Sequence, residues 1–247
     1  MLLINKITLR TLKSFAIIAI LTMTVNTSYA QRVEPMVFEL ASSGTKSTTS
    51  LRVSNNKSSP LTVEVEPTRI SLDEEGNETR TLAEDDFLIY PPQSILQPGK
   101  TQVIKVRYIG DPNIDVSKAY RISVKQVPVD LGLGDTTGVG LLLNFNTLAN
   151  VIPPKAKAEL SVVDIEQGEE GNWVVTIKNS GNRFARLSQT TWTAFSTTNP
   201  DQQREFPKSE VNVMLGKKLI LPNSTLRTTM TAIDGFSPSA TNITIIQ

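Results

Sequence analysis

Residues 87–108 read FLIYPPQSILQPGKTQVIKVRY, a stretch in which apolar and polar residues alternate between turn-forming residues. In its last part, Ile104, Val106 and Tyr108 lie on one side of the predicted strand, with basic residues on the other. A pair of prolines and a Pro-Gly pair mark turns before it. Alternation at period two between such turns predicts short strands that each bury one face.

The same alternation recurs along the chain, and helical periodicity is almost absent after the first 30 residues. A polar stretch at 73–80 is predicted to form the tip of a hairpin. Short strands at this spacing predict an all-β fold made of β-sandwiches. The predicted strands are 50–55, 61–72, 87–92, 101–110, 119–127, 158–167, 172–181, 184–195, 210–215, 217–225, 226–233 and 241–247.

Two pieces of the first half recur in the second half. The segment LRVSNNKS at 51–58 resembles VTIKNSGN at 175–182, since both are alternating strands closed by an Asn-rich turn. The segment SILQPGKT at 94–101 resembles LILPNST at 219–225 in the same way, with a leucine before a proline-containing turn. The repetition predicts two sandwich domains of related build.

A stiff, proline-containing segment separates the two halves. It reads PPKAK at 153–157 and is predicted to be a hinge. The predicted N-terminal domain is therefore 31–152, and the predicted C-terminal domain is 158–247.

The first 30 residues have the pattern of a secretory signal. Lys6, Arg10 and Lys13 precede a short apolar stretch at 14–25, and small residues at 28 and 30 predict cleavage after Ala30. The alternative is a membrane anchor, but the apolar stretch is short for a bilayer and no second one follows. We therefore predict an exported protein.

Composition limits the chemistry of the mature chain. There is no cysteine, so an exported protein must be held by core packing alone, and there is no histidine, the usual general base and zinc ligand. Residues 31–247 hold 22 basic and 24 acidic residues, a net charge of −2, which does not favour nucleic-acid binding. We predict no enzyme activity, catalytic residue, cofactor or metal site, although carboxylate or lysine chemistry stays open.

Together these features resemble one family, the periplasmic chaperones of chaperone–usher pilus assembly in Gram-negative bacteria. The resemblance covers most of 31–247 and is best between 85 and 128. No single motif decides it, but the order and spacing of the motifs are fairly specific. The residues that carry it are Phe87, Pro91, Pro92, Leu96, Gln97, Pro98, Gly99, Gln102, Arg107, Tyr120 and Arg121.

The resemblance implies two immunoglobulin-like domains in an L-shaped arrangement, and a protein of the periplasm that is not an enzyme. It also implies that the chain binds newly exported pilus subunits, each lacking its last strand, by donating a strand to the open groove. The subunit then passes to an outer-membrane usher. The alternative is a structural pilus subunit or surface adhesin with tandem sandwich domains.

The stretch VGLLLNFNTLANVIPP at 139–154 is the predicted donor strand. Its apolar residues at period two would fill the subunit's groove, each contributing roughly 1.5–3 kcal/mol. A bulge at the polar NFNT segment could change which face is apolar, and the alternative is an ordinary core strand. An exposed apolar strand also predicts self-association of the free protein. The predicted donor residues are Val139, Leu141, Leu143 and Phe145, with Val129, Leu131 and Leu133 from the preceding segment.

Chaperones of this family bind the subunit's C-terminal carboxylate through basic residues. In the best-known branch these are an arginine on the first strand and a lysine on the last strand of domain one, but 33–40 has no arginine and 140–152 no lysine. This departure indicates a divergent branch, for which the archaic one is a candidate. Arg121 is the first candidate anchor, followed by Lys125 on the same strand face and Lys155 at the hinge. The alternative is a solvated cationic face.

Overall fold

A computed structural model describes residues 31–128 and 142–246. Nineteen regular elements other than short 3-10 turns are present in these ranges, and all but one are strands. The strands are β1 (Arg32–Glu34), β2 (Val37–Ala41), β3 (Thr48–Ser54), β4 (Leu61–Leu72), β5 (Glu78–Leu82), β6 (Phe87–Tyr90), β7 (Gln93–Leu96), β8 (Thr101–Tyr108), β9 (Lys118–Gln126), β10 (Asn144–Ile152), β11 (Leu160–Gln167), β12 (Trp173–Asn179), β13 (Ala185–Arg186), β14 (Thr191–Ser196), β15 (Gln203–Phe206), β16 (Leu219–Ile220), β17 (Ser224–Met230) and β18 (Thr241–Ile246). The helix is α1 (Lys208–Leu215). No helix in the described ranges is long and apolar enough to cross a membrane.

The first ten strands form the two sheets of an N-terminal sandwich. One sheet has the order β1-β3-β8-β6, and the other has the order β2-β10-β9-β4-β5, with β7 also paired to β4. Every pairing is antiparallel except that of β10 with β2. The core between the sheets includes Leu51, Val53, Ile104, Val106, Tyr120, Ile122, Ala149 and Val151.

The remaining strands and α1 form the C-terminal sandwich. Its sheets are β11-β12-β17, β13-β16 and β15-β14-β18, and no strand pairs across to the N-terminal sandwich within the described ranges. The predicted all-β, two-domain fold is confirmed, while the domain limits at 31–152, 153–157 and 158–247 stay predictions. The core includes Trp173, Ile177, Leu187, Trp192, Val211, Ile220, Leu226 and Met230.

The alternation that predicted β8 and β9 is confirmed by burial. Ile104 and Val106 in β8, and Tyr120 and Ile122 in β9, are almost completely buried. In β8 the neighbours Lys105 and Arg107 on the opposite face are exposed, because successive side chains of a strand point to opposite faces of the sheet. In β9 the opposite face is partly covered as well, since Ala119 and Ser123 are also buried. Period two in β8 therefore reflects a sheet with one face in the core.

Aromatic residues of the family-like motifs meet in this core. The ring of Phe87 packs edge-on against those of Tyr108 and Tyr120, with centroid distances of 5.6 and 4.9 Å. The hydroxyl of Tyr120 donates a hydrogen bond to Asp86 at 2.7 Å. Burial, together with this bond, raises the pKa of Tyr120 far above its ordinary value. The hydrogen bond thus connects the turn before β6 to the first part of β9.

The sequence repeat corresponds to a repeated hydrogen-bond arrangement. At the end of β3, the amide Nδ2 of Asn55 donates to the carbonyl oxygen of Leu96 at 3.0 Å. At the end of β12, Nδ2 of Asn179 donates to the carbonyl oxygen of Leu221 at 3.1 Å. Each asparagine thus ties its Asn-rich turn to the leucine before the proline-containing turn, which supports the prediction of two related domains.

Three predicted strands are wrong as they were drawn, and one of them, 217–225, is divided between β16 and β17. Residues 210–215 belong to the helix α1, because Val211 and Leu215 are buried one turn apart while Val213 points to solvent. The predicted strand at 184–195 is two strands, β13 and β14, separated by a 3-10 turn at Leu187–Gln189. Leu187 in that turn fills the core of the sandwich, so the chain leaves one sheet and enters another there.

The two sandwiches contact each other through a small apolar cluster. Ile70, Ala119 and Leu148 of the N-terminal sandwich pack with Leu219 and Leu221 of the C-terminal one. Polar contacts surround this cluster. The Phe184 N–H donates to Ser117 Oγ at 2.7 Å, the Ser117 N–H to the Asn182 carbonyl at 2.9 Å, and the Arg227 N–H to the Glu74 carbonyl at 2.6 Å, while Arg183 pairs with Glu39 at 2.9 Å.

Candidate functional site

Strand β10 has different neighbours along its length. On one side it pairs with β9 from Asn144 to Val151. On the other side it pairs with β2 only from Leu148 to Ile152. Within the described ranges, the 144–147 part of β10 therefore has no strand on that second side, and we call it the open edge.

Hydrogen bonds at the two ends of this segment define which backbone groups face outward. The Gln126 N–H donates to the Leu143 carbonyl at 2.9 Å, so odd-numbered residues of β10 direct their backbone groups toward β9. The Leu148 N–H donates to the Met36 carbonyl at 2.8 Å, so even-numbered residues direct theirs toward the β2 side. The N–H and C=O groups of Asn144 and Asn146 consequently point out of the open edge, where an added strand could pair with them.

The side chains of β10 alternate regularly. Phe145 is half-buried and packs on the border of the N-terminal core, and Thr147, Ala149 and Val151 follow it into that core. The β9–β10 register is continuous from Asn144 onward, so the NFNT segment contains no bulge that changes the face. The alternative of a core strand is thus correct for one face of 145–151.

Only part of the predicted donor row can be located. Leu143 is half-buried beside the end of β9, and Phe145 has the same parity and contacts the core. The side chain of Leu142, on the other parity, is 56% exposed. Val129, Leu131, Leu133, Val139 and Leu141 lie outside the described residues.

The first candidate anchor, Arg121, takes part in a cluster on the outer face of the same sheet. Its Nε lies 3.0 Å from Oε2 and 3.2 Å from Oε1 of Glu78, and its Nη2 lies 2.5 Å from Oε2. Arg80 Nε binds the other oxygen, Oε1, at 2.5 Å, and Arg80 Nη1 donates to Asn146 Oδ1 at 3.2 Å. Ser123 Oγ donates to that same Asn146 oxygen at 2.7 Å. We call Glu78, Arg80, Arg121 and Asn146 the arginine cluster.

The charge of Glu78 is fixed by its partners. Burial by itself would raise the pKa of this carboxyl group, but the hydrogen bonds and charges of Arg121 and Arg80 lower the pKa below its ordinary value. The group is therefore an anion at neutral pH. Two guanidinium groups share one carboxylate, which leaves the arginine cluster with an excess positive charge.

The other two candidate anchors lie elsewhere. Lys125 Nζ is 2.5 Å from Oε1 of Glu66 on β4, so it forms a separate ion pair on the same sheet face. Lys155 follows β10 in the hinge with a backbone φ of 61° and is exposed. Lys155 lines a cavity together with Lys46 and Arg183. The structure thus does not bring the three predicted cations together.

Glu78 and Arg80 were missed by the sequence analysis, which assigned 73–80 to a solvated hairpin tip. The signal was present, because Glu78 and Arg80 are two residues apart at the start of β5 and hence share one strand face. Their partner Arg121 is distant in sequence, and alternation does not report such pairings. Within the described ranges, no group of acidic side chains could hold a metal ion.

Comparison with known proteins supports one family. Residues 38–152 match the family model described as "Pili and flagellar-assembly chaperone, PapD N-terminal domain". No curated protein matches the chain.

Solved structures show the same fold at low sequence identity. The class 5 fimbriae chaperone CfaA is 15% identical, with 87% of this chain and 98% of that chain covered and a TM-score of 0.56. A chain of the CsuC–CsuE chaperone–tip adhesion subunit pre-assembly complex from archaic Csu pili of Acinetobacter baumannii is 12% identical, covering 83% and 91%, with a TM-score of 0.53. In the Salmonella enterica SafA pilin–SafB chaperone complex, a chain is 15% identical, covering 84% and 86%, with a TM-score of 0.53.

The fold and the family match define the class as a pilus-assembly chaperone. The match over 38–152 places the N-terminal sandwich in the PapD-like family of the chaperone–usher pathway, as the sequence resemblance predicted. This family is not enzymatic, and the alternative of a structural subunit or adhesin is not favoured. Assignment to the archaic branch stays a prediction.

Proposed function

We propose that this protein acts in the periplasm as a chaperone that binds newly exported pilus subunits by donating β10 and delivers them to an outer-membrane usher. The observation that carries the proposal is the open edge, where the backbone groups of Asn144 and Asn146 face outward. A strand of the subunit would pair with these groups, because an unpaired edge is a template for strand addition.

The apolar row of the donor strand would complete the subunit's core. Phe145 packs on the border of the chaperone's own core, and Leu143 has the same parity. Val139 and Leu141 continue this row in the sequence, and Val129, Leu131 and Leu133 are proposed to add to it. A subunit groove placed against the open edge would thus extend an existing apolar layer, at roughly 1.5–3 kcal/mol for each large side chain buried.

Relatives of this chain support the choice of partner. The similar chains from Acinetobacter baumannii and Salmonella enterica come from complexes of a chaperone with a tip adhesion subunit and with a pilin, respectively. By analogy, the partner of this chain is a pilus subunit that lacks one strand. The free protein is proposed to self-associate by covering the same edge. Residues 1–30 are proposed to direct export and to be cleaved off after Ala30.

We propose Arg121 as the principal anchor for the subunit's C-terminal carboxylate. A guanidinium group suits this role because its planar donors match the two oxygens of a carboxylate. Arg121 lies opposite Leu148, where β2 begins to pair with β10 and an added strand would have to end. Lys125 and Lys155 are weaker candidates, since one is paired with Glu66 and the other lies at a separate cavity.

The test is subunit capture by two variants of one residue. The tagged chain is produced in a bacterial periplasm with the secreted proteins encoded beside its gene, as wild type, Asn144→Pro and Asn144→Ala. Proline removes the outward N–H but leaves the β9 pairing intact, and prolines are tolerated on strand edges. We expect wild type and Asn144→Ala to co-purify one-to-one with a small subunit and Asn144→Pro to lose it.

Two results would contradict the proposal. Normal capture by Asn144→Pro would mean that the donor strand lies in another part of the chain. If no subunit co-purifies with the wild-type chain, the proposed chaperone function is itself contradicted.

A further inference from the structure

We propose that Glu78 occupies the carboxylate-binding site of the free chaperone, and that the subunit's C-terminal carboxylate binds Arg121 and Arg80 by displacing it. The inference rests on the proposed function for the identity of the partner. It assigns two further residues to that site, a second cation and a resident anion that the subunit must replace.

The contacts of Glu78 are those that a terminal carboxylate would make. Arg121 binds one of its oxygens through both Nε and Nη2, and Arg80 binds the other oxygen. Charge-assisted, forked contacts of this kind are the strong mode of carboxylate recognition. The geometry for a bound carboxylate is therefore already assembled before any subunit arrives.

The charge balance of the arginine cluster distinguishes it from the other ion pairs. Each other ion pair in the described ranges joins one cation to one carboxylate, as in Lys125–Glu66 and Arg227–Glu166. Among the ion pairs of the described residues, Glu78 is the one carboxylate shared by two guanidinium groups. The cluster therefore favours an anion, and a second carboxylate can compete for the same donors.

The position of the arginine cluster relates it to the open edge. Arg80 contacts Asn146, whose backbone groups face out of that edge. Arg121 lies opposite Leu148, the residue at which β2 closes the edge. A strand added along 144–147 must end at this point, so its last residue would meet the arginine cluster.

Displacement of Glu78 would make binding selective. A carboxylate alone must compete with an anion that is held within the same chain. A strand that also pairs with Asn144 and Asn146 gains further contacts and can overcome this competition. Discrimination of this kind, through a competing contact, is a common source of specificity. The return of Glu78 would also assist release of the subunit.

Peptide binding tests the inference. The probe is a short, labelled peptide of alternating valine and threonine, made with a free C-terminal carboxylate and with a C-terminal amide. The proteins are wild type, Glu78→Gln and the matched control Glu166→Gln, which removes the carboxylate of the Arg227–Glu166 ion pair in the C-terminal sandwich. We expect Glu78→Gln to bind the carboxylate form about tenfold more tightly than wild type, which corresponds to one charge-assisted contact.

Three comparisons make this result specific. The affinity for the amide form should change little in Glu78→Gln, and Glu166→Gln should bind both forms as wild type does. Adding Arg121→Ala to Glu78→Gln should remove the gain. Glu78→Asp keeps the charge but shortens the reach, and it should show a smaller gain, which provides a second variant if Glu78→Gln folds poorly.

The inference is overturned if Glu78→Gln binds the carboxylate form no more tightly than wild type, or binds neither form. Subunit capture reports separately on strand donation. If the wild-type chain captures its subunit but Glu78→Gln shows no gain in affinity for the carboxylate peptide, the proposed function stands and this inference is wrong. If Glu78→Gln shows the gain in affinity but the wild-type chain captures no subunit, the carboxylate site stands and the proposed function is wrong.

Discussion

Asn179 is a single residue that joins three segments of the C-terminal sandwich. Its Nδ2 donates to the carbonyl oxygens of Arg183 at 2.7 Å and Leu221 at 3.1 Å. Its Oδ1 accepts hydrogen bonds from the backbone N–H groups of Glu159 and Gly181, each at 3.1 Å. The side chain is completely buried, so water cannot replace these contacts.

We therefore predict that Asn179→Ala lowers the free energy of unfolding by about 3 kcal/mol, because several buried backbone groups lose their partner. Urea unfolding followed by tryptophan fluorescence measures the change, since Trp173 lies on the same strand. The control is Asn242→Ala, an exposed asparagine in β18 that should change stability little. Equal effects of the two substitutions would contradict the assigned role.

At this scale the sequence was informative about local chemistry but not about distant partners. The Asn-rich turns at 55 and 179 were visible as a repeat. The carbonyl groups that they bind, on Leu96 and Leu221, were not predictable, because they lie 41 and 42 residues away. For the same reason Arg121 could be chosen as a cation, while its partner Glu78, 43 residues away, could not.

The element that sequence reasoning assigned incorrectly is α1. Val211, Val213 and Leu215 alternate as a strand would, but Val211 and Leu215 also have the spacing of one helical turn. Pro207 before the helix and Gly216 after it, with φ of 70°, are the boundary signals that favour the helix. In a short segment both periods fit, and the tertiary environment decides between them.

Two alanine substitutions distinguish the helix from the predicted strand. Val211→Ala should cost about 2 kcal/mol, because its side chain is completely buried. Val213→Ala should stay within about 0.5 kcal/mol of wild type, because its side chain is 85% exposed and alanine favours helices. Denaturant unfolding measures both. Similar losses at the two positions would indicate a strand with both valines on its buried face.

For strand β10, the alternation in the sequence predicts the strand but not which strands pair with it. The alternation of 139–152 predicted a strand, and its described part contains the strand β10 at 144–152, with the odd-numbered face in the core. It could not indicate that β2 would cover only 148–152, because strand pairing depends on the path of the chain far from 139–152. The open edge is therefore a property of the sheet rather than of the segment.

At the scale of the whole molecule, the question is whether the two sandwiches unfold as one unit. Their apolar contact is small, with Leu219 and Leu221 packed against Ile70, Ala119 and Leu148. Hydrogen bonds from Ser117 and Asn182 surround it on the hinge side. Since inter-domain contacts of modest size usually permit relative motion, the coupling energy should depend heavily on these few apolar side chains.

We predict that wild-type protein unfolds in one calorimetric transition and that Leu219→Asp divides it into two. A carboxylate at this position cannot be buried without a partner, so the apolar contact should be lost while each sandwich keeps its own core. Leu82→Asp is the matched control, because Leu82 is 67% exposed on β5 and its substitution should leave a single transition. Two transitions in the wild-type protein would mean that the contact does not couple the sandwiches, and one transition in Leu219→Asp would assign the coupling to the polar contacts around Ser117.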